Sequence, residues 1–410
     1  MSKTKKILII SQYYWPDITA AAFRIKETAE LIAEFGYDVT VITAIPHRGW
    51  AEKTTSKSLD SGKVQVYRTP IFPIENRTKL NFILHYSSFM FYSMIQSERL
   101  TDSFDAVICT SPPLFVAIAG FFISQRKRCP LVLDIRDLWP DSAVTIGQLN
   151  RNGIAYKIAK VIEKKLYQKA DLITCVANPM AKEIAQCTNS QKISVIYNGF
   201  PKNLLNDNLL SGQSGSDLFK KDCLNVVYIG NYGFCQNLEL LLDAAKLFQD
   251  EHDTNFMFHI FGDGAEGKLL RDKRETGDTR NFVIHNPVEK EAAISLMNAS
   301  DFLFLQLKPD ETMTKTIPSK VFDYLAAGKP VIYGIEGEGR KILERSGANT
   351  YFVPGNLNSL ISALRTSLTM HESLTEKALI NRKIVLNEFT REKMVEKMIA
   401  CLETVFRQNS

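Results

Sequence analysis

The chain has 410 residues, 45% of them hydrophobic and 23% charged, with a formal net charge of +5. That is enough apolar material for two cored domains and the usual balance of a globular protein. The mild charge, without a large basic block, speaks against a nucleic-acid partner.

The opening stretch MSKTKKILIISQYYW carries an apolar run too short for a signal peptide, so it reads as a first strand. An amphipathic helix follows over Phe23 to Gly36, then a strand at DVTVITA. Strand-like runs return at AVICTS, LVLDIRD, LITCV and ISVIYNG, with helical stretches between them. The longest apolar stretch, LFVAIAGFFI from Leu114 to Ile123, falls short of the roughly 20 residues that span a bilayer. The polar segment from Pro201 to Cys223 has no period and reads as a linker. The alternation then restarts with VVYIGN, a helix over Asn237 to Asp250, MFHIFGDG, NFVIHNPV, a helix from Glu289, FLFLQL, a helix near Pro318, PVIYGI and TYFVP. Thr390 is a candidate N-cap for a last amphipathic helix. Strand and helix repeated in this way predict two doubly wound parallel sheets, with ligands in a cleft at the carboxyl ends of the strands. The expected borders are 1–203, 204–385 and a returning helix over 386–410.

Seven cysteines, odd in number and without a Cys-x-x-Cys pair, give neither a disulfide framework nor a zinc site, and point to a reducing compartment. The six histidines form no metal-binding spacing.

In IPSKVFDYLAAGKPVI, Pro318 suits a first helical position and Gly328-Lys329-Pro330 is a stop. Free N–H groups over residues 318 to 321 could hold an anion, Lys320 adds a charge, and Asp323 could accept from sugar hydroxyls. A surface pair between Lys320 and Asp323 is the plainer alternative. FGDG, with Gly262, and GNYGF, with Gly230, Asn231 and Gly233, follow strands where a backbone could approach a ligand. DIRDLWPDSA ends a strand with Asp134, Arg136, Asp137 and Asp141 around Trp139. A buried pair between Arg136 and an aspartate is the alternative to a site there. Tyr14 and Trp15, ahead of Thr19 and Ala20, suggest a wall of the cleft.

These motifs, with YDVTVIT, RDLWPDSA, IYNGF, GNYG, FGDG and DYLAAGKPVI, resemble glycosyltransferase family 4 over nearly the whole chain. The RDLWPDSA and IPSK variants look like the branch that builds bacterial capsule and O-antigen units, including N-acetylfucosamine transferases. The resemblance implies the α/β GT-B fold, with two Rossmann-like domains and a C-terminal helix crossing back to the first. It implies retaining sugar transfer from a nucleotide-sugar, UDP-linked, without metal or cofactor. The acceptor would be a polyprenyl-diphosphate-linked saccharide. Lys320, Arg136 and Asp137 are then expected in catalysis. Thr19, Ala20, Gly230, Asn231, Gly233, Gly262, Lys315, Ser319, Lys320 and Asp323 are expected at the donor, and Tyr14, Trp15, Trp139 and Asp141 at the acceptor.

The chain also departs from the family. Lys315 stands where a Glu often contacts the donor sugar, Arg136 replaces a frequent histidine, and Ala20-Ala21 replaces Gly-Gly. The Arg and Lys that often follow the GNYG strand are absent. An inactive nucleotide-sugar-binding subunit and a nucleotide-sugar 2-epimerase are the competing readings. Lys157, Lys160 and Lys164, with Arg126 to Arg128 and the aromatic run Asn81 to Met94, could rest on anionic lipid at the inner face of the cell membrane. A solvated basic face and a buried aromatic helix are the alternative.

Overall fold

Parallel strands covered on both faces have no wet side, so they appear in sequence as short unbroken apolar runs. In the computed structural model, which describes residues 4–17, 19–47, 64–74, 78–145, 147–205 and 218–408, these runs build two all-parallel sheets. The chain divides into one unit of Met1–Asn198 with Arg391–Ser410 and a second of Gly199–Thr390. These limits stand against expected borders at 203/204 and 385/386.

The first unit runs β1 (Lys6–Ile10), α1 (Ala20–Glu34), β2 (Asp38–Ala44), β3 (Val64–Thr69), α2 (Lys79–Arg99), β4 (Ala106–Ser111), α3 (Leu114–Lys127) and β5 (Leu131–Ile135). It continues with α4 (Asp141–Thr145), α5 (Ile154–Lys169), β6 (Leu172–Cys175), α6 (Asn178–Ala185) and β7 (Ile193–Val195). Its strand order is β3-β2-β1-β4-β5-β6-β7. Helix α1 starts earlier than the sequence suggested, because the Thr19 hydroxyl accepts from the Ala22 N–H at 3.1 Å and caps it. Such a cap is worth about 1 kcal/mol. Ala22, Ile25, Ala29 and Ile32 then turn inward at helical spacing. Strand β5 stops at Ile135, where the Arg136 N–H reaches across to the Ser111 carbonyl at 2.7 Å. The edge strand β3 was not foreseen, since VQVYRT is mixed in polarity and half-exposed.

Of the expected linker, residues 206–217 lie outside the described residues, and Lys202–Leu205 forms a short 3-10 turn. The second unit runs β8 (Leu224–Ile229), α7 (Glu239–Asp250), β9 (Phe256–Phe261), α8 (Gly267–Thr276), β10 (Phe282–His285), α9 (Lys290–Ala299) and β11 (Phe302–Gln306). Then come α10 (Glu311–Thr314), α11 (Lys320–Ala327), β12 (Val331–Gly334), α12 (Glu338–Glu344), β13 (Thr350–Tyr351), α13 (Leu357–Thr369) and α14 (His371–Glu388). Its order is β10-β9-β8-β11-β12-β13. Leu241, Leu242, Ala245 and Phe248 of α7 pack on β8 and β9, where Phe248 meets Phe256 edge-on at 5.2 Å between ring centroids. Truncating Leu241 to alanine there removes roughly 2–5 kcal/mol of packing.

The last helix, α15 (Arg391–Gln408), begins directly after Thr390 and belongs to the first unit. Its Met394, Met398, Leu402 and Phe406 share a core with Ile25, Ala29 and Ile32 of α1.

Candidate functional site

In the second unit the turns after β8 and β9 touch, and glycine makes this possible. Gly230 and Gly262 have φ of +145° and +147°, a region side chains rarely adopt. A Cβ on Gly262 would lie 1.9 Å from the Gly230 carbonyl oxygen, and one on Gly230 would lie 2.4 Å from Lys320 Nζ. The Gly230 N–H donates to the Phe261 carbonyl at 2.8 Å, and the Tyr232 N–H to that of Asp263 at 2.9 Å. Two buried tyrosines fix this turn from below. The Ile229 N–H donates to Tyr324 Oη at 3.1 Å, and Tyr228 Oη donates to the Asn231 carbonyl at 2.7 Å. Nothing in the local sequence marks these two hydroxyls, because a tyrosine in an apolar run reads as core.

Lys320 opens α11 with its Nζ 5.1 Å from the centroid of the Tyr228 ring. Desolvation holds its pKa below the usual lysine range, partly offset by Asp323. Among the described residues no hydrogen bond or ion pair engages the ammonium. The surface pair with Asp323 therefore does not form. Lys320 is a cation set against bare backbone at the carboxyl end of a parallel sheet, where a small anion would complete it.

The helix start differs from expectation. Pro318 and Ser319 precede α11, and their carbonyls accept from the Val321 and Phe322 N–H groups at 3.0 Å each. The donor row is therefore shorter than 318 to 321. Gly328 does end the helix in the left-handed region, at φ +66°. Asp323 sits in the first turn of α11. Asn231 reaches between Gly233 and Gly264, its amide atoms within 3 Å of where either Cβ would stand. Lys315 pairs with Glu311 at 3.1 Å, a local i,i+4 contact. At the end of β10, His285 lies flat on Phe261, with centroids 4.1 Å apart. Its Nε2 is 3.1 Å from Nδ1 of His259, whose pKa burial pushes down to about 4.

In the first unit, Arg136 follows β5 and is a buried ion-paired residue. Its Nε donates to Asp134 Oδ2 at 2.6 Å and Nη1 to Asn198 Oδ1 at 3.1 Å, while Thr174 holds the other Asp134 oxygen at 2.7 Å. This is the alternative reading of that motif, and it neutralises the guanidinium expected in catalysis. Asp137, by contrast, is pushed up to about 6 by burial, against hydrogen bonds from Ser142 and the Leu138 amide. Asp141 is held by Tyr156 Oη at 2.7 Å and Lys160 Nζ at 2.9 Å. Lys160 also neutralises buried Glu163 at 2.5 Å, so both Asp141 and Lys160 are spent on joining α4 to α5. Tyr14 is a core side chain and not a wall. The Trp15 carbonyl accepts from Arg68 at 2.8 Å. Thr19 is occupied as the α1 cap, Ala20 is the first residue of α1, and the Trp139 N–H bonds the Asp137 carbonyl at 3.1 Å. Among the described residues no group of three His, Cys, Asp or Glu converges as a metal site.

Comparison with known proteins fits this arrangement. The model described as Glycosyltransferase Family 4 matches residues 21–203, and Glycosyl transferases group 1 matches residues 224–370. The chain belongs to the family 4 glycosyltransferases. This glycosyltransferase is 21% identical to WcaI of Escherichia coli (strain K12), a protein assigned to colanic acid biosynthesis as a glycosyl transferase, over 94% of this chain and 99% of that one. It is 21% identical to WbjE of Pseudomonas aeruginosa, named as a glycosyltransferase, over 97% and 95%. Among solved structures, HepE of Anabaena in complex with UDP-glucose superposes with a TM-score of 0.73 at 16% identity, covering 97% of this chain and 99% of that one. WaaG, a glycosyltransferase involved in lipopolysaccharide biosynthesis, gives 0.70 at 12% identity, covering 96% and 98%. The glycosyltransferase thus has the GT-B fold, two parallel-sheet α/β domains.

Proposed function

We propose that this glycosyltransferase moves a sugar, an N-acetylated deoxyhexose or hexosamine, from a UDP-sugar to a polyprenyl-diphosphate-linked saccharide. It does so with retention and without a bound metal, in the capsule or O-antigen branch of surface polysaccharide synthesis that includes N-acetylfucosamine transferases. The observation that carries this reading is the unpartnered Lys320 ammonium against the Gly230 turn. In the reaction the bond from the anomeric carbon to the diphosphate oxygen breaks, and the acceptor oxygen forms its replacement while its proton passes to the departing diphosphate oxygen. Negative charge gathers on the leaving UDP, and Lys320 with the α11 N-terminus stabilises it. Asp323 holds ribose hydroxyls, and Gly230, Asn231, Gly233, Gly262 and Ser319 line the diphosphate. Asp137 orients the acceptor. UDP bound to the HepE relative supports this donor class.

Purified protein is incubated with a panel of nucleotide-sugars and a lipid-linked acceptor extract, and nucleoside diphosphate release is measured with and without acceptor. Acceptor-dependent release is expected, and Lys320→Ala should reduce it at least roughly a hundredfold. Normal turnover in that variant refutes the assignment. A second reading, an inactive subunit that only binds the donor, draws support from Lys315 pairing with Glu311 where the family often has an acid. Binding without release under any acceptor would establish it.

The acceptor reading places the enzyme in the cytoplasm, on the inner face of the membrane. No described helix is long and apolar enough to cross a bilayer. However, α2 exposes Leu80, Ile83, Phe91 and Ile95 at helical spacing, and α5 exposes Ile154, Ile158 and Val161 beside Lys157 and Lys164. An apolar stripe flanked by cations suits anionic lipid. Lys160, held by two carboxylates, takes no part. Charge reversal of Lys157 and Lys164 should weaken flotation with anionic liposomes, and unchanged flotation ends this placement.

A further inference from the structure

Arg24 lies in the second turn of α1, with Asp134 and Arg136 at the carboxyl end of β5 among its charged neighbours, and nothing described above gives it a role. Its Nε is buried and has no hydrogen-bond partner, and among the described residues no hydrogen bond or ion pair holds any part of its guanidinium. The carboxylates near it are already engaged. Asp134 takes Arg136 on one oxygen and Thr174 on the other, and Glu27 Oε2 faces Arg391 Nε at 3.3 Å. Burial and the neighbouring guanidiniums of Arg136 and Arg391 disfavour the Arg24 charge, while Asp134 and Glu27 support it less strongly. Arginine does not shed its proton in proteins, so the fold carries there a cation that Asp134 and Glu27, each engaged with another arginine, only partly offset. Its planar fork matches phosphate oxygens in a two-point contact. The position is also where parallel sheets take ligands.

We propose that Arg24 is the anion-binding residue of the first unit and takes a phosphate-type oxyanion of a substrate. Arg136, neutralised by Asp134, is its positioning neighbour. The identity of that substrate rests on the function proposed above: the oxyanion belongs to the diphosphate of a prenyl-linked acceptor.

Inorganic pyrophosphate is the first probe, titrated calorimetrically into the full chain as wild type, Lys320→Ala, Arg24→Met and the double variant. Lys320→Ala should retain a pyrophosphate site, and adding Arg24→Met should weaken that site at least roughly tenfold, the loss of about 1.4 kcal/mol expected for one charge-assisted contact. Pyrophosphate binding unchanged by Arg24→Met overturns the proposal. Because Arg24 has no protein partner, Arg24→Met should melt no lower than wild type without ligand. A large fall in melting temperature, with pyrophosphate affinity restored to wild type in Arg24→Gln, assigns a structural role and also overturns it. In the same titrations with geranyl diphosphate and with UDP, the Arg24→Met loss should fall on geranyl diphosphate, and a loss on UDP alone overturns the acceptor assignment. A loss on neither refutes a substrate role. Pyrophosphate binding is read without any transfer, so a protein that transfers no sugar can still pass this test, and an active transferase can fail it.

Discussion

Replacing Asp137 with asparagine should stabilise the first unit, and by an amount that depends on pH. The Asp137 carboxyl is raised from 3.8 to about 6, chiefly by burial. The folded chain thus holds this proton more tightly than the unfolded chain. Stability from this group is undiminished below about pH 3.8, is lost as pH rises through the window up to about 6, and stays lost above it. At about 1.4 kcal/mol per unit, the charged form costs the fold roughly 3 kcal/mol at pH 7.5 and roughly 1.5 kcal/mol at pH 5. Asparagine resembles the protonated acid and can still accept from Ser142 and the Leu138 amide, so most of that penalty should vanish. All three tryptophans, Trp15, Trp50 and Trp139, lie in the first unit, so urea unfolding followed by their fluorescence reports it selectively. Asp137→Asn should raise the unfolding free energy by about 2–3 kcal/mol at pH 7.5, by about half of that at pH 5, and by only about 0.5 kcal/mol at pH 4. An equal gain at every pH, or a loss at pH 7.5, would show that the carboxyl is not held in a desolvated site. A stabilised variant with impaired transfer would also be the signature of a group kept for chemistry at the expense of the fold.

Gly230→Ala should abolish donor binding, because the new Cβ would meet Lys320 Nζ at 2.4 Å in a backbone region alanine avoids; equilibrium titration with UDP reads this, and wild-type affinity contradicts it. Lys160→Met leaves buried Glu163 without its cation and Asp141 with only Arg151 at 3.8 Å, and should lower the urea stability of the first unit by about 3 kcal/mol, whereas Lys157→Met should change it by less than about 0.5 kcal/mol. UDP affinity should fall on the alkaline side at a lower pH than an ordinary lysine would dictate, because desolvation lowers the Lys320 pKa. Calorimetry across that range checks this, and Lys320→Arg should flatten the profile.

The alternation of strands and helices was legible because each buried parallel strand is a continuous apolar run, as in AVICTS, where every residue of β4 is buried. The meeting of Lys320 with the Gly230 turn was legible in kind, since both motifs sit at ligand-facing ends of a parallel sheet. What stayed hidden depended on distance along the chain. Asp141 met Tyr156 and Lys160 only because α5 folds back over α4. Arg136 and Asp134 were nearer to legible: two residues apart on extended chain, their side chains share a face and can pair. Likewise Lys315 and Glu311 stand at i,i+4 spacing, so their contact needed no tertiary information. Arg24 escaped notice because nothing in its local sequence marks a cation whose neighbours are all engaged elsewhere.

The return of α15 to the first unit has a consequence for synthesis. Met394, Met398, Leu402 and Phe406 complete a core whose other members are made some 360 residues earlier, such as Ile25, Ala29 and Ile32. Residues 391–408 leave the ribosome only after the whole of residues 199–390. Domains generally fold as units during synthesis. Here the unit that begins second can close its core first, while the unit that begins first waits with an open groove on α1 for its last helix. Premature termination just before Arg391 should therefore leave a folded second unit attached to an unfinished first one, with the apolar face of α1 exposed to chaperones.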